Sequence, residues 1–389
     1  MTYLSIAVSV LVAVLAVWVI RTILSRPSTE HWAQPSATDV EAHEPPAAPR
    51  LAAQPAFKGT IAASVAVVGG EPCPPELAAF VMSKAAQLPR ERRDAITAVF
   101  RNVPRPPRLL QHLLSPDFVG AASSAELVDL IASEPLIAAK VLATVNSPFY
   151  ALRTPVQSIG QAVSYLGLNA VRSVCLQYIL IDSFKADSRE RQQVLDATWR
   201  ASALASELMQ NLSNKLDLHD PGSLSSAVVL SFLGRLATAG TMPRGLLAKI
   251  PSRGFLPRVA AEQAMLGLCS AEIGRLLMTA WALPEAIVDD ATGIDRILVT
   301  PADSASTARA LRHALCYLCA RLGERLADGE LESLDDFDLA TDAGPDLFHL
   351  RSHFNEALAA RVAEKLRSPD LGASVRRILR ATEKEAVAA

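Results

Sequence analysis

The only adjacent His-Asp pair in the sequence is His219-Asp220, in "LDLHDPGSLS". Set on a helix among other imidazoles and carboxylates, such a pair can hold divalent ions, bind phosphate and generate hydroxide. Here Pro221 and Gly222 follow and point to a turn between helices, so the pair reads as loop and capping residues. His349 and His353, in "FHLRSHF", are four apart and can share a helix face, but no third ligand accompanies them. His31 and His43 fall in a proline-rich stretch, His112 at the start of the globular region, and His313 in the tail. Asp289 and Asp290, in "VDDATGID", read as a solvated helix end. Cys316 and Cys319 form one isolated Cys-x-x-Cys; three apart on a helix and flanked by Leu315 and Leu322, they read as small buried thiols rather than a redox or metal pair. No glycine-rich phosphate loop follows a strand, and no nucleophile elbow occurs.

Composition sets the elements that must carry these residues. Half of the 389 residues are hydrophobic and only 5% are aromatic, with Ala and Leu dominant, which favours an all-α body. The formal net charge is −2 and no long basic stripe appears, so nucleic acid is not an expected partner. Five scattered cysteines fit a reducing compartment better than a disulfide framework.

Residues 4–24, "LSIAVSVLVAVLAVWVIRTIL", are long and apolar enough for one transmembrane helix, with Trp18 and Arg21 suited to the interface. Arg21 and Arg26 follow the span and nothing basic precedes it, which places the C-terminal bulk of a single-pass membrane protein in the cytoplasm. A cleaved signal peptide fits less well, because no basic residue opens the run and no small-x-small site follows. Residues 25–75 hold nine prolines, many alanines and several acidic residues, the composition of a disordered tether. The apolar island "TIAASVAVVGG", residues 60–70, could dock as a strand or do nothing.

From Pro75 a helical period takes over. "PPELAAFVMSKAAQL" and "RERRDAITAVFRNV" read as two short lead-in helices over residues 76–102. Ser123 with Glu126 has the pattern of a capping box. Glu134 ends that helix and Pro135 opens the next, which stops at Asn146, Ser147 and Pro148, a tight polar turn. Ser158 is the expected N-cap of a helix closed by Gly167, and Asn169 of the one after it. Between Glu190 and Leu212, Val194, Thr198, Ala201, Ala205, Leu208 and Leu212 recur at core-facing spacings, and "AVVLSFLGRLATAG", residues 227–240, reads as another buried helix.

This ordered series resembles the HDOD family, the HD-related output domains of bacterial signalling proteins. The resemblance runs through Glu134, Pro135, Asn146, Ser147, Pro148, Ile159, Ala162, Leu166 and Gly167, then "TWRASALASEL", "VVLSFLGRL", Glu262 and "LGLCSAEIGRLLMTAWALPEAI". It covers residues 103–297 and leaves 298–389 as a C-terminal helical extension. It implies an all-α multi-helix bundle with a divergent HD-type core behind an N-terminal helical subdomain. Catalytic HD domains are metal-dependent phosphohydrolases, and the similarity places their ligand positions here at Ala201, Ser231, Phe232 and Ser270. None is a strong metal ligand. With neither metal nor other cofactor expected, the implied role is a non-catalytic, membrane-anchored signalling module binding a cytoplasmic protein partner or a nucleotide second messenger. Asn146 and Ser147 would then either terminate a helix or shape a partner-binding surface. The alternatives are a phosphohydrolase with non-standard ligands and a scaffolding protein of the envelope.

Overall fold

The computed structural model describes residues 67–68, 71–100, 103, 108–115, 118, 123–146, 152, 154–184, 186–218, 220–302, 308–342 and 344–388. The expected span at 4–24, Ser147, Pro148 and His219 lie outside the described residues. Within the stretch whose composition suggests a tether, β1 (Val67–Val68) pairs antiparallel with β2 (Glu71–Pro72), so part of the apolar island does form a strand. Among the described residues, everything else that is regular is helical.

The first lead-in helix shrinks to one turn, Pro75–Ala78. Beyond it the backbone finds partners on other elements. The Ser83 amide donates to the Gln263 side chain at 2.8 Å, Gln263 Nε2 donates back to the Val81 carbonyl at 2.8 Å, and the Ala85 amide donates to Glu272 at 3.0 Å. Side-chain bonds from distant residues thus replace the intrahelical ladder. Helix α1 (Arg90–Phe100) then forms as the second lead-in helix.

An N-terminal subdomain follows, built from α2 (Arg108–Leu114), α3 (Ser124–Ala132), α4 (Pro135–Val145), α5 (Ile159–Leu166) and α6 (Leu168–Asp182). Ser123 and Glu126 close the expected capping box, Pro135 is the first residue of α4, and the Ser158 hydroxyl accepts from the Gln161 amide. Gly167 ends α5 at φ +84°, a conformation that favours glycine. Helix α6 starts one residue before Asn169, which therefore sits in its first turn instead of capping it. Leu110, Leu127, Ile131, Val141, Val145, Ala162 and Val171 close this half of the core.

The second half begins with the long α7 (Arg189–Lys215), whose stripe Thr198, Ala201, Ala205, Leu208 and Leu212 is buried as its period predicts. The segment expected as one helix over 227–240 is two: α8 (Pro221–Ser231) and α9 (Leu233–Thr241), joined at Phe232. Pro221 and Gly222 open α8 instead of forming a turn, and Asp220, at φ +57°, caps it by accepting from the Ser223 amide. Val228 and Phe232 face one apolar cluster, while Val229, Leu230 and Leu233 face the other. The pair α8–α9 is therefore a wall between two cores. Pro221–Thr241 is long and apolar enough to cross a membrane, yet 83% of its apolar window is buried inside the protein.

Next come α10 (Phe255–Leu266), α11 (Ser270–Ala280) and α12 (Glu285–Arg296). The chain after residue 298 extends the bundle. Helix α13 (Ala308–Ala327) lies along α7 in the most extensive pairing among the described helices, and α14 (Phe348–Ser352), α15 (Glu356–Leu366) and α16 (Pro369–Ala388) add to the same cluster.

Two crossings bring backbones together. At α9–α11 a Cβ on Gly234 would overlap the Ser270 carbonyl, and Gly274 faces Gly234 across the same point. At α7–α13 a Cβ on Gly323 would lie 2.5 Å from the Ala201 carbonyl oxygen and 2.9 Å from Ala205 Cβ. Gly234→Ala is expected to cost about 3 kcal/mol, the upper range for overpacking. Gly274→Ala, whose methyl would lie 3.1 Å from the Gly234 nitrogen, should cost less, since that contact needs the backbones to part by only a few tenths of an ångström. Urea unfolding midpoints of the two variants check the order.

Candidate functional site

The four positions that the resemblance assigns to HD-type ligands lie on α7, at the α8–α9 junction and at the start of α11. Ala201 is buried against α13. The Ser231 hydroxyl is turned back onto its own helix, donating to the Val228 carbonyl at 2.7 Å. Phe232 is 3% exposed and packs in the same apolar cluster as Ala201. Ser270 turns toward a neighbouring helix: its amide donates to Glu262 Oε2 at 2.7 Å, so a carboxylate from α10 caps the N-terminus of α11.

Around these positions lies a buried ion network that reading the sequence in windows does not reveal. Glu324 on α13 accepts from Arg235 on α9 at 3.1 Å and from Arg258 on α10 at 2.5 Å, and Arg321 approaches it at 3.4 Å. Arg321 also reaches Asp295 on α12 at 3.5 Å and stacks on the Phe255 ring at 3.5 Å. These side chains are all less than a tenth exposed, and three guanidiniums meet three carboxylates when Glu262 is included. Burial pushes the Glu324 carboxyl up, but Arg258, Arg321 and Arg235 overcome it and hold it at about 2. Burial lifts Asp295 to about 6, with Arg321 offsetting only part of the effect. Burial likewise raises Glu262. The one legible signal was Arg321 and Glu324 on an otherwise apolar face of "CARLGERLA".

The other residues singled out in the sequence are placed as follows. Glu134 precedes α4 without a side-chain cap bond, Pro135 opens that helix, and Gly167 serves the turn after α5. Asn146 grips the chain ten residues on: its Nδ2 donates to the Val156 carbonyl at 2.8 Å, and its Oδ1 accepts the Val156 amide at 2.6 Å. Asp289 and Asp290 are not a solvated helix end. Asp289 accepts both terminal nitrogens of Arg275, at 2.6 and 2.7 Å, while Asp290 binds Arg309 at 2.8 Å and faces His313 Nε2 at 3.1 Å. Cys316 and Cys319 are fully buried, and burial pushes Cys316 up to about 12. His349 packs edge-on to Phe348, and His353 Nε2 lies 3.0 Å from the Thr300 carbonyl. Among the described residues, no three His, Cys, Asp or Glu side chains converge as a metal-holding group.

Separately, α11, α12, α13 and the lead-in enclose an open groove of about 590 Å³. Its lining carries Lys84, Arg275, Arg296 and Arg309 against the carboxylates Glu272 and Asp289, and it includes His313. No sequence window contains this set, because its members are spread from residue 84 to residue 313.

The network makes two predictions. Glu324→Gln leaves three buried guanidiniums short of one carboxylate and should cost about 3–5 kcal/mol by urea unfolding. The Asp295 carboxyl titrates near 6 when folded, against an ordinary 3.8, so the folded state holds an extra proton between those values. Its contribution to stability is therefore lost as pH rises from about 4 to 6. Asp295→Asn should gain on the parent protein across that window, checked by urea midpoints at each pH unit.

Residues 103–295 match the family model of the HDOD domain. No curated protein matches the chain. Among solved structures, an HDOD domain protein of unknown function from Geobacter sulfurreducens aligns with a TM-score of 0.53 at 18% identity, covering 75% of this chain and 98% of that one. A protein from Shewanella amazonensis described as a candidate phosphohydrolase aligns at 0.50 and 18%, covering 74% and 98%. One from Marinobacter aquaeolei described as a candidate signal transduction protein aligns at 0.50 and 19%, covering 79% and 66%. At such identities the likeness is one of fold. The family match, the all-α architecture and the order of the helices agree: residues 103–295 of this chain are an HDOD domain.

Proposed function

We propose that this chain is a non-catalytic signalling module, anchored in the membrane through residues 4–24, whose HDOD domain binds a cytoplasmic protein partner. One observation carries the reading. The positions that would ligate metal are Ala201, Ser231, Phe232 and Ser270, and their surroundings are filled by apolar side chains and by carboxylates already engaged with arginines. Metal-assisted hydrolysis needs several strong donors converging around an open coordination position. Glu262, Asp295 and Glu324 are the carboxylates nearest to such a role, and each is committed to a helix amide or a guanidinium.

The apolar filling also supports the reading. Phe232→Ala should destabilise the domain by about 3–5 kcal/mol, because a large side chain leaves a closed space; a near-silent substitution in urea unfolding would contradict it. Purified protein should carry no stoichiometric Mn, Fe or Zn and hydrolyse no phosphodiester. Stoichiometric metal together with hydrolysis would overturn the proposal in favour of a phosphohydrolase with unusual ligands. Crosslinking in membranes should capture a cytoplasmic signalling protein, whereas recovery of cell-wall or division components alone would favour a scaffold.

A further inference from the structure

The groove between α11, α12, α13 and the lead-in shares no charged residue with the Glu324 network. We infer that it binds a small soluble molecule carrying two or more phosphate charges, of about nucleotide size. This deepens the proposed signalling role by naming a ligand class, and it rests on that reading only for its purpose, not for its geometry.

Shape, charge and construction support it. A concavity of about 590 Å³ lies within the usual range for small-molecule sites, about 300–1,000 Å³. Four cations from four separate segments, Lys84, Arg275, Arg296 and Arg309, line it against two carboxylates, Glu272 and Asp289. Asp290, outside the lining, draws on Arg309 and His313, so a positive excess survives when it is counted. Arginine is suited to phosphate because its planar fork can donate two parallel bonds. The Arg275 side chain keeps about a third of its surface exposed and Arg309 about half, so both remain reachable. Gly293 helps to shape the floor. A Cβ there would collide with the His313 ring, so the absence of a side chain lets that imidazole lie against α12 beside Asp290.

The groove also has an outlet. One wall is Lys84 to Ala86, in the lead-in that joins the domain to the preceding chain. The Ala85 amide is held by Glu272, and Glu272 is the carboxylate that pairs with Arg296. A phosphate drawn to Arg296 competes with Glu272 for the same guanidinium and so acts on the carboxylate that holds the lead-in.

Calorimetric titration of the full chain in detergent with pyrophosphate and with ATP tests this. Saturable binding is expected for both. It should weaken at least tenfold in the double variant Lys84→Glu, Arg309→Glu, whose sites are surface-exposed, and remain within twofold in Arg367→Glu, a surface arginine elsewhere. Hydrogen exchange at the Ala85 amide should change on ligand addition. Absence of saturable binding at millimolar ligand, or binding indifferent to the double variant, overturns the inference. Either result leaves the crosslinking test of the partner-binding role intact, whereas turnover of ATP instead of simple binding would count against the non-catalytic reading.

Discussion

The Glu324 carboxylate is the point on which the second half of the molecule depends. Three guanidiniums from three helices would be intolerable in an apolar interior without it, since an unpaired buried charge costs several kcal/mol. With it, α9, α10 and α13 are tied at one point, and Asp295 draws α12 to the same arginines. The network does not make the fold more stable than a well-packed apolar core would. It makes the arrangement specific, because few other packings of these helices would satisfy the same charges. Arg235 can take part because its neighbour Gly234 lets α9 rest against the backbone of α11.

This also explains the character of the site. Where an HD-type centre would gather imidazoles and carboxylates around an ion, here arginines occupy the carboxylates from within. The carboxylates of the interior are therefore engaged from within, and a separate set of charged side chains lines the groove on α11, α12 and α13, where the lead-in passes.

Much of the fold was legible because local chemistry decided it. Ser123 with Glu126, Pro135, Ser158 and Gly167 each satisfy backbone groups within a few residues, and the stripe on α7 follows from its period. Three of the departures share one physical cause. The first lead-in helix, the single helix over 227–240 and the solvated reading of Asp289 and Asp290 all depended on partners far away in sequence: Gln263 and Glu272, the two cores on either side of Phe232, and Arg275 with Arg309. The resemblance could point to Ala201, Ser231, Phe232 and Ser270 as ligand positions, but no window of the sequence could show the arginines around them. A charged residue on an apolar helix shows that it needs a partner without showing where the partner is.

The wall formed by α8 and α9 carries a consequence for how the domain unfolds. Val228 and Phe232 belong to one core while Val229, Leu230 and Leu233 belong to the other, so neither core can open without uncovering the same two helices. Subdomains that share a wall lose their independence. The N-terminal helices and the HD-type half should melt in a single cooperative transition, with no stable half-folded species between. A signal that loosens one half is then felt in the other as a change in the same equilibrium.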